Sequence, residues 1–310
     1  MAVYTVLKPL FIIFALAVPG VAFKKLNMAD EHQLKLMSGF MLKVILPAII
    51  IYSMQTEFSR EVLESGIKVF LAVFLLFGCL FLFSVFFTRG IGLKKSYTGL
   101  VAFIMFFANT GGIGIPVMNM LFGSEAVFYA SAAEMATDVL IFTAGVLLMK
   151  SSGEGNDRRV DIKALISPGT FGIVIGLVLF LTDTRLPEAV NGVLEKLSGA
   201  SLPVTMFVIG AQIGGIELKT LRGDWRIIAV TAAKLIAAPA VMYVIAFFIL
   251  KCDTIPAKVL TVLYAMPTGG AAAIFAQEYR ADSVFAAKAV FLTDIFCLVT
   301  LPVLVLMIQV

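Results

Sequence analysis

The sequence has little of the material from which most catalytic and metal centres are built. It contains one histidine, His32, and three scattered cysteines, Cys79, Cys252 and Cys297, whose spacing fits neither a metal site nor a redox pair. No nucleophile stands near a base in a pattern that predicts covalent catalysis. The phosphate-binding pattern G-x-x-x-x-G-K-[ST] is also missing. We therefore expect neither an enzyme nor a nucleotide-driven pump, and we expect no cofactor.

Charged residues are scarce as well. They make up 14% of the 310 residues, whereas a soluble domain has about a quarter. Hydrophobic residues make up 60%, the mean hydropathy is +1.02, and the apolar residues form long runs. Because about 20 apolar residues cross a bilayer as a helix, the sequence predicts an all-α polytopic membrane protein with ten spans. The predicted spans are approximately 4–22, 34–54, 67–88, 97–122, 126–149, 168–183, 192–213, 225–250, 257–277 and 283–309.

Lysine and arginine are concentrated in the loops that follow odd-numbered spans. Cytoplasmic loops carry this excess in membrane proteins, so both termini are predicted to be non-cytoplasmic, in the inner (cytoplasmic) membrane. This asymmetry also accounts for the net charge of +4, and we expect no nucleic-acid partner.

The two halves of the chain resemble each other. NTGG at 109–112 matches PTGG at 267–270, an offset of 158 residues, and TDVLIF at 137–142 matches TDIFCL at 293–298, an offset of 156. A polar connector, 150–167, separates residues 1–149 from residues 168–310, and each half contains five predicted spans. Because five is odd, the second half enters the membrane from the opposite side, which predicts two inverted five-helix repeats of the kind found in secondary transporters.

Glycine and proline interrupt the fourth and ninth spans, at NTGGIGIP (109–116) and MPTGGAAA (266–273). Glycine costs about 1 kcal/mol and proline about 3 kcal/mol in a helix interior. Non-helical backbone at membrane depth is tolerated where it lines a cavity or is buried in protein, and unpaired N–H groups at a helix end attract anions. The alternative is close helix packing. The predicted substrate-binding residues are Asn109, Thr110, Gly111, Gly112, Pro116, Pro267, Thr268, Gly269 and Gly270.

Three segments resemble the auxin efflux carrier family, whose bacterial members include malate and malonate permeases. They are ANTGGIGIPVMNMLFG in the fourth span, AMPTGGAAAIFAQEYRAD in the ninth and LVTLPVLVL in the tenth. The resemblance covers essentially the whole chain. It implies a layout similar to that of sodium–proton antiporters and bile acid symporters, in which helices 4 and 9 cross at their prolines, and it places Asn109, Pro116 and Pro267 at the crossover.

The same resemblance implies two groups of helices with different roles. Helices 1, 2, 6 and 7 would form a scaffold and the surface of a homodimer, and helices 3–5 and 8–10 would form a transport domain for an organic acid anion. The sequence departs from the family at Ala271, where many relatives carry asparagine. It departs again at Lys288 and Asp294, where small hydroxyl residues are common.

Ionisable residues inside spans are expensive and are candidates for function. Glu134 and Asp138 lie one helical turn apart, and the repeat relates Asp138 to Asp294. Lys288 could pair with one of these acids or with the substrate. We predict ion coupling, with Na+ or H+ as the coupling ion, by Glu134, Asp138, Lys288 and Asp294. The alternative is a static ion pair. Two further lysines, Lys43 and Lys234, are expected to snorkel or to pair locally.

These observations together predict a secondary active transporter that moves a small mono- or dicarboxylate across the bilayer by alternating access. A cation–proton antiporter without an organic substrate is the first alternative, because the acid and lysine set would suit it equally. A membrane sensor or channel is the second alternative.

Overall fold

The computed structural model describes residues 11–12, 15–28, 30–55, 59–153, 168–215 and 225–309, which are mostly helical. Residues 4–10 and 13–14 of the first predicted span and residues 154–167 of the polar connector lie outside the described residues. We label the helices in chain order. They are α1 (Val18–Lys25), α2 (Glu31–Phe40, continued by the π-helical turn Met41–Ile45 and by Leu46–Ser53), α3 (Arg60–Gly90), α4 (Thr98–Phe106), α5 (Ile115–Phe122), α6 (Ser124–Leu140, continued by the π-helical turn Ile141–Gly145), α7 (Val146–Ser152), α8 (Pro168–Leu181), α9 (Glu188–Gly214), α10 (Trp225–Tyr243, continued by the π-helical segment Val244–Ile249), α11 (Thr254–Tyr264), α12 (Ala271–Glu278) and α13 (Ser283–Gln309).

Several helices are long and apolar enough to cross a bilayer. Five of them qualify alone, and a sixth qualifies if the bent pair Ser124–Leu140 and Thr143–Ser152, with 41° between them, counts as one span. The five are His32–Ser53, Arg60–Gly90, Glu188–Ala211, Trp225–Ile249 and Ser283–Ile308. The structure thus confirms an all-helical, multi-pass membrane protein within the described residues. The count of ten spans stays a prediction, because other apolar helices are shorter than a membrane crossing: Lys95–Phe106, Thr110–Phe122, Phe171–Leu181 and Thr254–Tyr264.

Local chemistry sets the helix ends that position the rest of the fold. A capping box starts α2: the Asp30 carboxylate accepts from the Gln33 N–H at 2.7 Å, and the Gln33 side-chain oxygen accepts from the Asp30 N–H at 2.9 Å. Gly123 separates α5 from α6 at φ +82°, a backbone conformation that glycine adopts without steric cost. The chain therefore turns directly from α5 into the helix that carries Glu134 and Asp138.

The helices α1, α2, α8 and α9 pack on one another through glycine. A Cβ at Gly20 or at Gly210 would collide with backbone atoms of the facing helix, so α1 and α9 touch main chain to main chain. At Gly172 in α8 a Cβ would lie 2.8 Å from the Pro47 Cα atom of α2. Small residues allow such close approach between membrane helices. These four helices therefore form one tightly packed group.

The remaining helices pack around an aromatic core. α3 packs against α4 and α6, and α10 packs against α11 and α13. Phe103, Phe106 and Phe107 are buried at the end of α4, with ring centroids 4.3 Å apart for Phe103 and Phe107 and 4.8 Å apart for Phe106 and Phe107. This aromatic cluster supports the end of α4, where the chain leaves the helix.

Candidate functional site

Both predicted breaks interrupt helices, and they are bonded to each other. α4 ends at Phe106 and α11 ends at Tyr264, each before a short non-helical stretch. The Asn109 N–H donates to the Pro267 carbonyl at 2.7 Å, and the Gly269 N–H donates to the Phe107 carbonyl at 3.0 Å. Ala108 and Thr268 thereby form an isolated antiparallel bridge. The two halves of the chain meet here through main-chain hydrogen bonds.

The first break is held by hydrogen bonds from its own side chains and from side chains of two other helices. The Asn109 side-chain oxygen accepts from the Gly112 N–H at 3.1 Å, which caps the π-helical turn Thr110–Gly114 that leads into α5. The Thr110 hydroxyl donates to the Glu134 carboxylate on α6. From α9, the Thr205 hydroxyl donates to the Gly112 carbonyl at 3.2 Å. Side chains on two other helices therefore hold this break in place.

The second break is hydrogen-bonded to other helices at Thr268, whereas the backbone donors that follow Thr268 have fewer partners. The Thr268 N–H donates to the Thr293 hydroxyl at 3.1 Å, and the Thr268 hydroxyl donates to the Ile104 carbonyl at 2.9 Å. Gly270, the N-cap residue of α12, has no side chain that could cap the helix. In the part of the chain that the structure describes, the N–H groups of Gly270 and Ala271 have no acceptor, and neither has that of Gly111. These three residues also line the cavity described next, so their N–H groups are candidate donors for a ligand.

A cavity of about 430 Å³ opens beside the joined breaks. Apolar side chains such as Met41, Phe107, Ile141 and Ile274 cover much of its wall. Most of the predicted site residues line it. They are Asn109, Thr110, Gly111, Gly112, Glu134, Asp138, Thr268, Gly269, Gly270 and Asp294.

Three predicted site residues do not line the cavity. Pro116 is buried in the first turn of α5, a position that suits proline because its missing N–H is not needed there. Pro267 contributes its carbonyl to the bond with Asn109. Lys288 is half-buried on α13 and makes no hydrogen bond or ion pair with any described residue, so its predicted pairing with an acid is not formed in this conformation. Its role in ion coupling stays a prediction.

The charges that line the cavity are all acidic. Glu134 and Asp138 reach it from α6 and Asp294 reaches it from α13, and the described lining contains no lysine, arginine or histidine. Glu134 and Asp138 lie one helical turn apart on α6, so their like charges repel each other, and a cation bound beside them would offset this repulsion. The cavity therefore offers amide donors for an anion and carboxylates for a cation.

Sequence reasoning missed several contributors. Thr137 lines the cavity and also bonds to the Tyr264 hydroxyl at 2.8 Å, and Thr205 reaches the cavity from α9. Threonine is common in membrane helices, so its presence alone carried no signal. Of the two expectations for Lys234, snorkelling and local pairing, the structure agrees with local pairing: its side chain is fully buried, and Nζ donates to the Tyr264 carbonyl at 3.0 Å. Its buried position depends on the packing of α10, which hydropathy does not reveal.

Comparison with known proteins shows the family to which the chain belongs. A family described as membrane transport protein matches residues 3–305. An uncharacterized transporter of Methanothermobacter thermautotrophicus is 30% identical over 220 residues, which are 69% of this chain and 68% of the relative. An uncharacterized transporter of Methanocaldococcus jannaschii is 22% identical over 296 residues, 94% of each chain. Since the family match covers nearly the whole chain, this protein belongs to the membrane transport protein family, the auxin efflux carrier family that its break motifs resemble, and it is a transporter rather than an enzyme.

Proposed function

We propose that the protein is a secondary active transporter that carries a small organic acid anion across the cytoplasmic membrane together with H+ or Na+. The observation that supports this most directly is the cavity at the joined breaks, where three free amides lie in the same wall as three carboxylates. Such a site can hold an anion and a cation at once.

The anion would bind to the amides of Gly111, Gly270 and Ala271. Unpaired N–H groups at the start of a helix carry about half a positive charge and bind carboxylate or phosphate groups. One substrate carboxylate matches this donor set. A second one would find no basic side chain in the described lining, and much of the remaining wall is apolar. The cavity therefore favours a monocarboxylate with an apolar body over a dicarboxylate.

The cation would bind to the carboxylates. An anionic substrate next to Glu134, Asp138 and Asp294 would be repelled unless protons or sodium ions offset these charges. Coupled movement of anion and cation follows from this charge balance. The same three carboxylates also favour the alternative function, cation–proton exchange without an organic substrate, and the test below separates the two.

An inverted repeat is the architecture that we propose for this cycle. α4 (98–106) and α11 (254–264) end at residues related by the 158-residue offset of the break motifs, and α5 (115–122) and α12 (271–278) are related by an offset of 156. Two such repeats of five helices each, 1–149 and 168–310, would place the breaks near the bilayer midplane.

A division into scaffold and transport domain follows from the packing. α1, α2, α8 and α9 correspond to predicted spans 1, 2, 6 and 7, and they form the glycine-packed group. The cavity wall includes Met41 of α2 and Thr205 of α9 as well as both breaks. The cavity therefore lies along the boundary between the proposed scaffold and the proposed transport domain, where relative movement would expose it to each side of the membrane in turn. We propose that the scaffold also forms the homodimer surface.

The test is uptake into proteoliposomes of labelled malate, malonate and an indole carboxylate, each with and without imposed proton and sodium gradients. We expect saturable uptake of one acid, driven by one of the gradients. In Asp138→Asn and in Asp294→Asn the response to the gradient should be lost. The control is Glu125→Gln, which changes an exposed acid at the start of α6 and should retain the response.

Two results would contradict the proposal. Sodium-dependent proton movement without uptake of any acid would establish the alternative, cation–proton exchange. Uptake of an acid whose gradient response is unchanged in both aspartate variants would remove the carboxylates from the coupling mechanism.

A further inference from the structure

The Glu134 carboxylate lies against the backbone of the first break. It accepts a hydrogen bond from the Thr110 hydroxyl. The next residue along the break, Gly111, is in contact with it as well, because a Cβ at Gly111 would lie 2.5 Å from the Glu134 Oε1 atom. Only a residue without a side chain leaves room for the carboxylate at this point, so Glu134 packs directly on the main chain of Gly111.

The same glycine offers one of the donors that we propose for the substrate. The Gly111 N–H has no acceptor among the described residues, and both Gly111 and Glu134 line the cavity. An anion bound at this N–H would lie beside the Glu134 carboxylate, since the carboxylate touches the same residue. Two negative charges at such a short separation repel each other strongly where bulk water is excluded. An anion and a charged Glu134 therefore exclude each other at the first break.

The surroundings of Glu134 do not offset this repulsion. The described cavity lining contains no lysine, arginine or histidine. The titratable groups around Glu134 are Asp138 on the same helix, Asp294 in the cavity wall from α13, and the Tyr264 hydroxyl of α11, which is bonded to Thr137 on α6. α5 and α8, which also pack against α6, carry no charged residue, and Lys43 of α2 is exposed. Its neighbours in the cavity are thus acids and a neutral hydroxyl.

We infer that Glu134 couples the binding of a proton to the binding of the substrate, because its carboxylate and the substrate carboxylate share the first break. The anion binds at Gly111 when a proton has neutralised Glu134, and the bound anion in turn keeps that proton on Glu134. The inference rests on the proposed function and deepens it: it names H+ as the coupling ion and Glu134 as the residue that binds it beside the substrate.

Protonation would leave the hydrogen bonding of the first break intact. A protonated carboxyl group retains acceptor capacity, so Glu134 can accept from Thr110 in both states, and only the charge beside Gly111 changes. Linkage requires that a proton which favours the anion is itself favoured by the anion to the same extent. The KM for the anion should therefore rise as the pH rises and Glu134 becomes charged.

Two substitutions remove the charge of Glu134. Glu134→Gln keeps the size of the side chain and an acceptor for Thr110, and Glu134→Leu is an uncharged variant of similar size without an acceptor. The measurement is the KM of exchange in sodium-free proteoliposomes with the same pH on both sides. The probe is whichever of labelled malate, malonate and indole carboxylate the wild type exchanges, at about pH 6.5 and about pH 8.5, where free carboxylic acids are ionised.

In the wild type we expect KM to be about tenfold higher at the higher pH, a size within the range usual for coupled sites. In both Glu134 variants KM should be the same at the two pH values. The control is Glu125→Gln, which removes an exposed acid from the start of α6 and should keep the pH dependence of the wild type.

The remaining outcomes overturn the inference. A wild-type protein that exchanges an acid with the same KM at both pH values refutes it and leaves the proposed function standing. A pH-dependent KM that persists in Glu134→Gln, or in Glu134→Leu should Glu134→Gln not fold, assigns the effect to another group. A wild-type protein that exchanges none of the three acids overturns the proposed function, and the inference with it.

Discussion

The two breaks carry the same Thr-Gly-Gly sequence, yet their backbone groups are satisfied differently. In the first break Asn109 supplies a side-chain oxygen to the Gly112 N–H. In the second break the N-cap is Gly270, which has no side chain. The N–H groups of Ala272 and Ala273 donate to the carbonyls of Gly269 and Gly270, and those of Gly270 and Ala271 have no acceptor among the described residues. A capped helix start has one donor fewer for a ligand. The backbone donors of the first break are thus largely bonded within the protein, whereas the second break leaves two N–H groups without an acceptor among the described residues.

The two breaks also differ in their hydrogen bonds to other helices. Thr110 ties the first break to the carboxylate of Glu134, and Thr205 ties it to α9. The second break is bonded to Thr293 of α13. Substitutions can remove the cap of the first break, add a cap to the second break, or remove one of these hydrogen bonds to another helix.

The largest effect is expected from Asn109→Ala, which makes the first break resemble the second. Loss of the cap frees the Gly112 N–H and shifts the backbone beside the bond to Pro267, and small misplacements at a site reduce rates strongly. We expect the maximal rate of uptake to fall about tenfold or more. The protein should still fold, because a lost cap costs about 1 kcal/mol.

The matched control is Asn119→Ala, on α5 and outside the cavity lining; it should transport at the wild-type rate. Normal transport by Asn109→Ala itself would mean that the break is structural and that the site lies elsewhere.

A smaller effect is expected from Gly270→Asn, which makes the second break resemble the first. A Cβ at Gly270 meets no atom within 4 Å, so the side chain fits, and asparagine is a preferred N-cap residue. A cap oxygen accepts from the second or third N–H of the helix, here Ala272 or Ala273, so it would place a partial negative charge beside the free amides and disfavour an anion there. We expect KM for the acid to rise about tenfold, which corresponds to about 1.4 kcal/mol, while the thermal midpoint rises slightly.

Gly270→Ala separates the effect of the cap oxygen from that of bulk, because alanine adds a methyl group without an oxygen. Its KM should stay near that of wild type. If alanine and asparagine raise KM equally, the amides are not the anion site.

The smallest effect is expected from Thr293→Val, which removes the hydrogen bond between the second break and α13. The Thr268 N–H, in a residue that is almost fully buried, would lose its acceptor, and an unsatisfied buried donor costs about 1–3 kcal/mol. We expect a lower thermal midpoint in detergent. Thr300→Val on the same helix removes a hydroxyl that has no hydrogen-bond partner, so its midpoint should be unchanged or higher. Equal midpoints in the two variants would contradict this assignment.

Much of the geometry of the candidate site could be predicted because its signals are local. Glycine and proline in an apolar run are costly at the positions where they stand, so 109–116 and 266–273 could be recognised without any knowledge of packing. Buried acids in spans are equally conspicuous, and Glu134, Asp138 and Asp294 do line one cavity. The family resemblance, carried by the same motifs, is confirmed by the match over residues 3–305.

The rest depends on helix rotation and packing, which hydropathy does not encode. Lys288 and Asp294 lie six residues apart on α13, and only Asp294 reaches the cavity. Lys234 was grouped with Lys43 by its position in a span, yet Lys234 is fully buried and Lys43 is exposed. Thr205 comes from α9, a helix that no motif connects with the breaks. Each of these differences follows from the direction in which a helix faces its neighbours.

The bonds between the breaks, Asn109 N–H to Pro267 and Gly269 N–H to Phe107, involve backbone atoms alone. Because these hydrogen bonds use only backbone N–H and C=O groups, they do not depend on which side chains are present. Substitutions at these residues leave the bonding groups in place unless proline removes a donor. The cavity wall can consequently diverge in evolution, one side chain at a time, while these hydrogen bonds persist. Proteins that share this connection between the breaks can therefore change their substrate specificity while they keep the same fold.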